Sequence, residues 1–203
     1  MTVMAQSARE AWAQIAATRN STELIEELNS ERPRPPVSGT TRLLEPQVPV
    51  VLDGEVVDDL EQLNAALPLN FTRLSYEGSV ALGAFTDRKA MLSEVRRMNG
   101  DTRGDFGLPS HTRVWEDGNE GGDRLELEAG FHWRDLTRVP RGFLHTQNWN
   151  DIISSVSVCA FNVELFDDIH LSGARFFIDR HNRIPDLTPF GFNDRTSSFI
   201  NYG

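Results

Sequence analysis

Trp149-Asn150-Asp151-Ile152-Ile153-Ser154-Ser155 is a stretch that this chain contains twice. Forty-three residues on, Phe192-Asn193-Asp194-Arg195-Thr196-Ser197-Ser198 repeats its pattern: an aromatic, Asn-Asp, two variable residues and Ser-Ser. Asn and Asp tolerate tight turns, and Ser hydroxyls bond to nearby backbone. The doubling therefore argues for two copies of one supersecondary unit, each with an oxygen-rich turn. Outward from these turns, a shift of 51 positions sets Trp115 on Phe166, Gly122 on Gly173, Arg124 on Arg175, Leu127 on Ile178 and Asp135-Leu136-Thr137 on Asp186-Leu187-Thr188. The offset then drops from 51 to 43, which places eight extra residues in the first copy between Thr137 and Asn150.

Each copy has an aromatic seven residues before a Gly, as expected for a folded hairpin whose Gly takes a backbone state closed to other residues. Arg124-Leu125-Glu126-Leu127-Glu128 alternates as a half-buried strand does. Two units of this kind, unable to bury their apolar faces alone, pair into a β-sandwich in Greek-key fashion.

The 203 residues suffice for one large domain or two small ones. Thirty acidic against twenty basic side chains give a formal charge of −10, which disfavours nucleic acid and anionic membranes as partners and favours cations. The single cysteine, Cys159, excludes an intrachain disulfide and lies in an apolar run that predicts a buried thiol. No run reaches the ~18 apolar residues of a membrane helix, and the N-terminus lacks the regions of a secretory signal. The default expectation is therefore a cytoplasmic protein without a membrane partner, the alternative being an extracellular mature form that reads the same.

Residues 1–30 are expected to be a helical segment. Ser7 and Glu10 suit a capping box, and Asn20-Ser21-Thr22 interrupts before a short helix capped by Ser21 or Thr22. This segment either packs on its own chain or docks on a partner. Arg32-Pro33-Arg34-Pro35-Pro36 cannot continue a helix, so 31–45 reads as a linker. Residues 46–100 read as a small α+β domain. They comprise a hairpin through Asp53-Gly54, a helix capped by Asp58 or Asp59, a second hairpin around Glu77-Gly78-Ser79, and a helix after Thr86-Asp87 carrying Met91, Leu92, Val95 and Met98. Asn70-Phe71-Thr72 matches a glycosylation acceptor but reads as incidental. A second linker spans 101–111. The fold class expected is thus an α+β N-terminal region followed by an all-β two-Greek-key sandwich over 112–203, with units 112–160 and 161–203.

Residues 112–203 resemble a two-motif βγ-crystallin domain of the microbial, calcium-binding type. The resemblance rests on the hairpins Trp115-x4-Glu120-x-Gly122 and Phe166-x4-Leu171-x-Gly173 and on the N/D-N/D-x-x-S/T-S signatures at 150–155 and 193–198. Glu120 and Leu171 replace the second aromatic of each hairpin, and the eight-residue insertion is a further departure. The resemblance implies two calcium sites shared between motifs. One would use the Ile152 carbonyl and Ser154 with Asp167 from the second hairpin. The other would use the Arg195 carbonyl and Ser197 with Glu116 from the first. Asn150, Asp151, Asn193 and Asp194 would shape the turns and stand as further candidate ligands. Calcium suits such a set because it takes six to eight oxygens in irregular geometry. The same groups can instead only satisfy turn backbone. His111, His132, His145, His170 and His181 lack zinc spacing, and no nucleophile–base pair emerges, so a non-enzymatic protein is expected. The alternative is a protein-binding or peptidase-inhibitor-like module acting through loop 138–147, with Phe143 and Leu144 as anchors.

Overall fold

The structure, a computed structural model, describes residues 16–30, 32–99, 107–141 and 146–203. The helix start expected around Ser7 and the loop anchors Phe143 and Leu144 lie outside the described residues. Thr18–Arg19 form β1, and Thr22–Leu28 form α1, whose first turn is capped by Ser21 Oγ accepting from the Leu24 N–H at 3.1 Å. Helix was expected across 7–30, but residues 18–19 are extended. The Asn20 amide donates to the Asn201 carbonyl and the Asn20 N–H to the Gly130 carbonyl, so pairing with a distant strand overrides local helix preference.

The hairpin of β2 (Val50–Leu52) and β3 (Glu55–Val57) turns through Asp53 and Gly54, both at positive φ. Asp59 caps α2 (Leu60–Ala65) by accepting from the Glu61 N–H. A second hairpin joins β4 (Asn70–Tyr76) to β5 (Ser79–Phe85), and Asp87 caps α3 (Arg88–Asn99). Asn70 is fully buried, with its amide on the Phe85 carbonyl and its Oδ1 accepting from Arg175, so it presents no glycan acceptor in the fold.

The repeat holds residue by residue. In β6 (Thr112–Asp117) and β7 (Gly121–Leu127), Trp115 faces Arg124, the register then slips, and Asp117 faces Gly121. Strand β8 (Phe131–Trp133) follows, and the eight extra residues fall in the hairpin of β9 (Pro140–Arg141) and β10 (Gln147–Asn148). After β11 (Ser155–Val156), β12 (Val163–Asp168) and β13 (Ser172–Ile178) repeat the first hairpin, with Phe166 facing Arg175, the same slip, and Asp168 facing Ser172. The hairpin turns match too, with positive φ at Asn119 and Glu120, at His170 and Leu171, and at Gly122 and Gly173. Strand β14 (Ser198–Asn201) closes the second copy as β11 closes the first.

The two units exchange strands. β8 of the first pairs with β14 of the second, and an isolated bridge joins Val156 to Ile184, so each sheet is completed by the other copy. One sheet runs β11-β6-β7. The other grows to nine strands, β1-β8-β14-β12-β13-β4-β5-β2-β3, because β4 adds in parallel to β13. The 46–100 region therefore continues the sheet of the second unit. Its cover explains an asymmetry between the copies, since all seven residues of β13 are buried while β7 stays mostly exposed. One apolar core contains Leu63 and Phe71 from the N-terminal region together with Val114, Phe176, Phe192 and Phe199 from the sandwich. The Phe71 and Phe192 rings lie 6.4 Å apart across that seam.

A charged network also crosses the seam. Glu164 on β12, 0% exposed, accepts from Arg88 Nη1 of α3 and from the Tyr202 hydroxyl, each at 2.5 Å. Arg175 lies 3.8 Å from the same carboxylate and donates to Asn70 Oδ1 and to the Leu28 and Ser30 carbonyls. Burial pushes the Glu164 carboxyl up, but Arg88, Arg175 and its hydrogen bonds outweigh burial and hold it below the usual carboxylate range.

Cys159 is buried, as its apolar context predicts, and burial pushes its thiol up. Among the described residues, no helix is long and apolar enough to cross a membrane.

Candidate cation site

The second residue of each signature, Asp151 and Asp194, has φ near +55° and +52°, a left-handed state that Asx residues enter more readily than most. The two turns then clasp each other. The Asp151 N–H donates to the Thr196 carbonyl at 3.1 Å, and the Asp194 N–H donates to the Ile153 carbonyl at 3.2 Å. The final serine of each signature fixes its own hairpin. Ser155 Oγ donates to the Asp117 carbonyl and accepts from the Glu120 N–H, while Ser198 Oγ does the same with Asp168 and Leu171. These two serines are built into the fold, and only the penultimate serines remain to face a ligand.

Ser197 lies beside its own hairpin. Its N–H donates to the Phe166 carbonyl at 2.9 Å, and its Oγ reaches the Asp167 carbonyl at 3.4 Å and Asp151 Oδ1 at 3.5 Å. Symmetrically, the Ser154 N–H donates to the Trp115 carbonyl at 2.9 Å, and its Oγ reaches Asp194 Oδ1 at 3.5 Å. The expected pairing of hairpins is thus exchanged. Ile152 and Ser154 stand with Glu116 and Asp194, and Arg195 and Ser197 stand with Asp167 and Asp151. The reason is strand pairing: Ser155 sits opposite Trp115 and Ser198 opposite Phe166, so each signature is laid against its own hairpin. The other copy contributes its Asx carboxylate instead.

The two clusters differ in charge. In the Asp167–Arg195–Ser197 cluster, Arg195 turns its own guanidinium back to Asp167 at 2.9 Å, and burial nevertheless pushes the Asp167 carboxyl up. Arg42, from the 31–45 segment, donates through Nη1 to Asp151 Oδ1 at 2.6 Å and to the Arg195 carbonyl at 3.1 Å, and through Nη2 to the Asp194 carbonyl at 3.1 Å. Sequence reading missed Arg42 altogether.

The other cluster opens into a cleft lined by Glu116, Asp117, Gly118, Asp151, Ile152, Ser154, Asp186, Thr188, Asn193 and Asp194. Among the described residues, no basic side chain forms an ion pair with Asp194, whose carboxylate meets Ser154 Oγ and Asn193 Nδ2. Burial, with Asp151 and Asp117 nearby, holds the Asp194 carboxyl above its usual range. Glu116 is held down by the hydrogen bond from Arg141, seconded by the Asp123 N–H. Among the described residues, Asn150 Oδ1 is buried without a hydrogen-bond partner. Among the described residues, no group of three or more His, Cys, Asp and Glu side chains is arranged as a metal site. Any cation here would accordingly combine a carboxylate such as Asp194 with hydroxyl and backbone oxygens, the mixed all-oxygen set that calcium takes in irregular geometry.

No family model and no curated protein matches the chain. Among solved structures it is similar to a βγ-crystallin from Ciona intestinalis, at 29% identity over 45% of this chain and 98% of that one, with a TM-score of 0.36. It is also similar to a βγ-crystallin domain from Clostridium beijerinckii, at 21% identity over 45% and 95% of the two chains and a TM-score of 0.36. A third likeness is to an archaeal βγ-crystallin, at 21% identity over 46% and 98% and a TM-score of 0.35. Over somewhat under half of its length, the chain is similar to βγ-crystallin domains.

Proposed function

We propose that this chain is a non-enzymatic, calcium-binding βγ-crystallin-like protein in which calcium seats among Glu116, Ile152, Ser154 and Asp194 and stabilises the sandwich. The observation that supports this most is the two-fold relation between the oxygen clusters. In one, a positive group is held against Asp151 Oδ1 and the Arg195 carbonyl. The counterparts of those oxygens in the other, on Asp194 and Ile152, border a cleft rimmed by carboxylates. The raised Asp194 carboxyl fits this reading, because a divalent cation offsets the burial of its charge and then the repulsion from Asp151 and Asp117. Calcium would cross-link both turns and the first hairpin, which come from distant parts of the chain.

The test is a thermal melt with calcium and with chelator. Calcium at a hundredfold excess over its Kd adds about 2.7 kcal/mol to the folded state. For a chain of this size that raises Tm by roughly 5–11 °C. Ser154→Ala and Asp194→Asn should shrink the shift. An unchanged Tm together with no calorimetric heat on calcium addition refutes the proposal.

A further inference from the structure

We infer that the second oxygen cluster already has its cation, the guanidinium of Arg42, so that the chain takes up one calcium ion rather than two. The inference rests on the calcium reading above for the first cluster. To the Arg42 contacts that support that reading it adds the docking of residues 32–47. Residues 32–47 are a strap docked along the second hairpin. The Arg34 carbonyl accepts from the Gly173 N–H at 2.9 Å, the Ser38 N–H donates to Asp168 Oδ2 at 2.8 Å, and the Gln47 N–H donates to the Pro189 carbonyl at 2.8 Å. Leu44 is 0% exposed, and its N–H and carbonyl are both bound by the Asn64 amide. The strap runs so close to Gly191, which has φ +67°, that a Cβ there would meet the Glu45 and Pro46 backbone at 3.0–3.1 Å.

The docking holds Arg42 over the cluster by a mutual clasp. The Arg42 side chain donates to the Arg195 carbonyl, and Arg195 Nη2 donates to the Arg42 carbonyl at 2.9 Å while Nη1 donates to the Leu43 carbonyl. One planar fork thereby reaches a carboxylate and two carbonyls, an arrangement that a lysine ammonium on its flexible stem does not reproduce. Two of those oxygens, Asp151 Oδ1 and the Arg195 carbonyl, are the ones that the two-fold relation pairs with Asp194 and Ile152 in the calcium cluster. A tethered, pre-oriented guanidinium competes with a diffusing ion at an effective concentration that needs no ligand in solution. The positive charge also neutralises Asp151 in the same place where calcium would.

Isothermal calorimetry with calcium on the full chain, comparing wild type with Arg42→Gln and Arg42→Lys, tests this. The expected stoichiometries are one ion per chain for wild type and two for Arg42→Gln. Arg42→Lys keeps the charge but loses the fork, and is expected to bind a second ion at least tenfold more weakly than Arg42→Gln does. One ion in both wild type and Arg42→Gln overturns the inference and leaves the proposed function standing. Two ions in wild type overturns it as well. No ion in wild type but one in Arg42→Gln upholds the role of Arg42 and overturns the proposed function. No ion in either overturns both. Far-ultraviolet circular dichroism of Arg42→Gln, unchanged from wild type, guards against loss of fold as the cause of a null result.

Discussion

Replacing Glu164 with Gln keeps the side-chain shape but removes the carboxylate that Arg88 and Arg175 share in the network joining α3 to the sandwich. Arg88, 1% exposed, and Arg175, 2% exposed, then face each other's charge across β12 without a counterion. Arg175 retains Asn70 and two carbonyls, whereas Arg88 exchanges its carboxylate for a neutral amide oxygen beside Asn29 and the Tyr202 hydroxyl, so the cost falls mainly on Arg88. Breaking a buried ion pair on one side costs about 3–5 kcal/mol. At roughly 3 °C per kcal/mol for a chain of this size, Tm drops by about 9–15 °C. The double variant Arg88→Met/Glu164→Leu removes both charges of the closer pair and should lose less than Glu164→Gln alone, because the charge then left without a carboxylate is only that of Arg175, which keeps Asn70 and two carbonyls. Urea unfolding followed by tryptophan fluorescence and by circular dichroism measures both. Because the nine-stranded sheet and the largest apolar core join the 46–100 region to the sandwich, the two probes should report a single coincident transition. A Glu164→Gln loss below about 1 kcal/mol, or a double variant worse than the single one, refutes the reasoning.

His132, 3% exposed on β8, sits with Nδ1 at 2.9 Å from Asn20 Oδ1, and burial, then Arg134, pushes its pKa down to about 4 from 6.5. A depressed pKa means stability that is complete above about pH 6.5 and lost as pH falls towards 4, by up to about 3 kcal/mol at 1.36 kcal/mol per unit. The stability difference between wild type and His132→Gln, measured by urea titration, should shrink across that window, and a pH-independent difference counts against it. Gly83→Ala should cost about 1–3 kcal/mol by overpacking, since a Cβ would stand 2.5 Å from Leu74 Cδ1 and 2.9 Å from Phe85 Cε2. Leu74→Ala, which also removes the Cγ that would stand at 2.6 Å, should make the loss of the double variant smaller than the sum of the two single losses, and additive losses contradict the contact. Calcium affinity should weaken as pH falls through the raised Asp194 pKa, because the proton and the ion compete for one carboxylate. Asp194→Asn should flatten that calorimetric pH profile, and an unaltered slope would assign the proton elsewhere.

The repeat was legible in the sequence down to register, because its turns depend on residue types that tolerate positive φ: Gly122 and Gly173 in the hairpins, Asp151 and Asp194 in the signatures. The caps were legible to within one residue, as Ser21 or Thr22, Asp58 or Asp59 and Thr86-Asp87, and the fold uses Ser21, Asp59 and Asp87. What distant strand pairing decides was not. Nothing local marks Thr18–Arg19 as a strand, since its partner is His132–Phe131. The parallel pairing of Phe71 with Phe176 turns the 46–100 region into an extension of the sandwich, and no spacing in the sequence encodes it. The oxygen-bearing residues of the two clusters were legible as types, but each signature lies against its own hairpin and not the other copy's, because Ser155 faces Trp115 and Ser198 faces Phe166. Arg42 lay in a run whose prolines read as a linker, and its role exists only because Leu44 and the Arg34 carbonyl anchor that run to the second hairpin.

An X-ray structure from crystals grown in calcium, with anomalous data recorded at long wavelength, tests the central claim most directly. The account predicts one strong anomalous peak bounded by Ser154 Oγ, Asp194, Ile152 and Glu116, with the Arg42 guanidinium still on Asp151 and the Arg195 carbonyl. A peak among Asp151, Arg195 and Ser197 with Arg42 displaced, or no peak at either cluster, contradicts it.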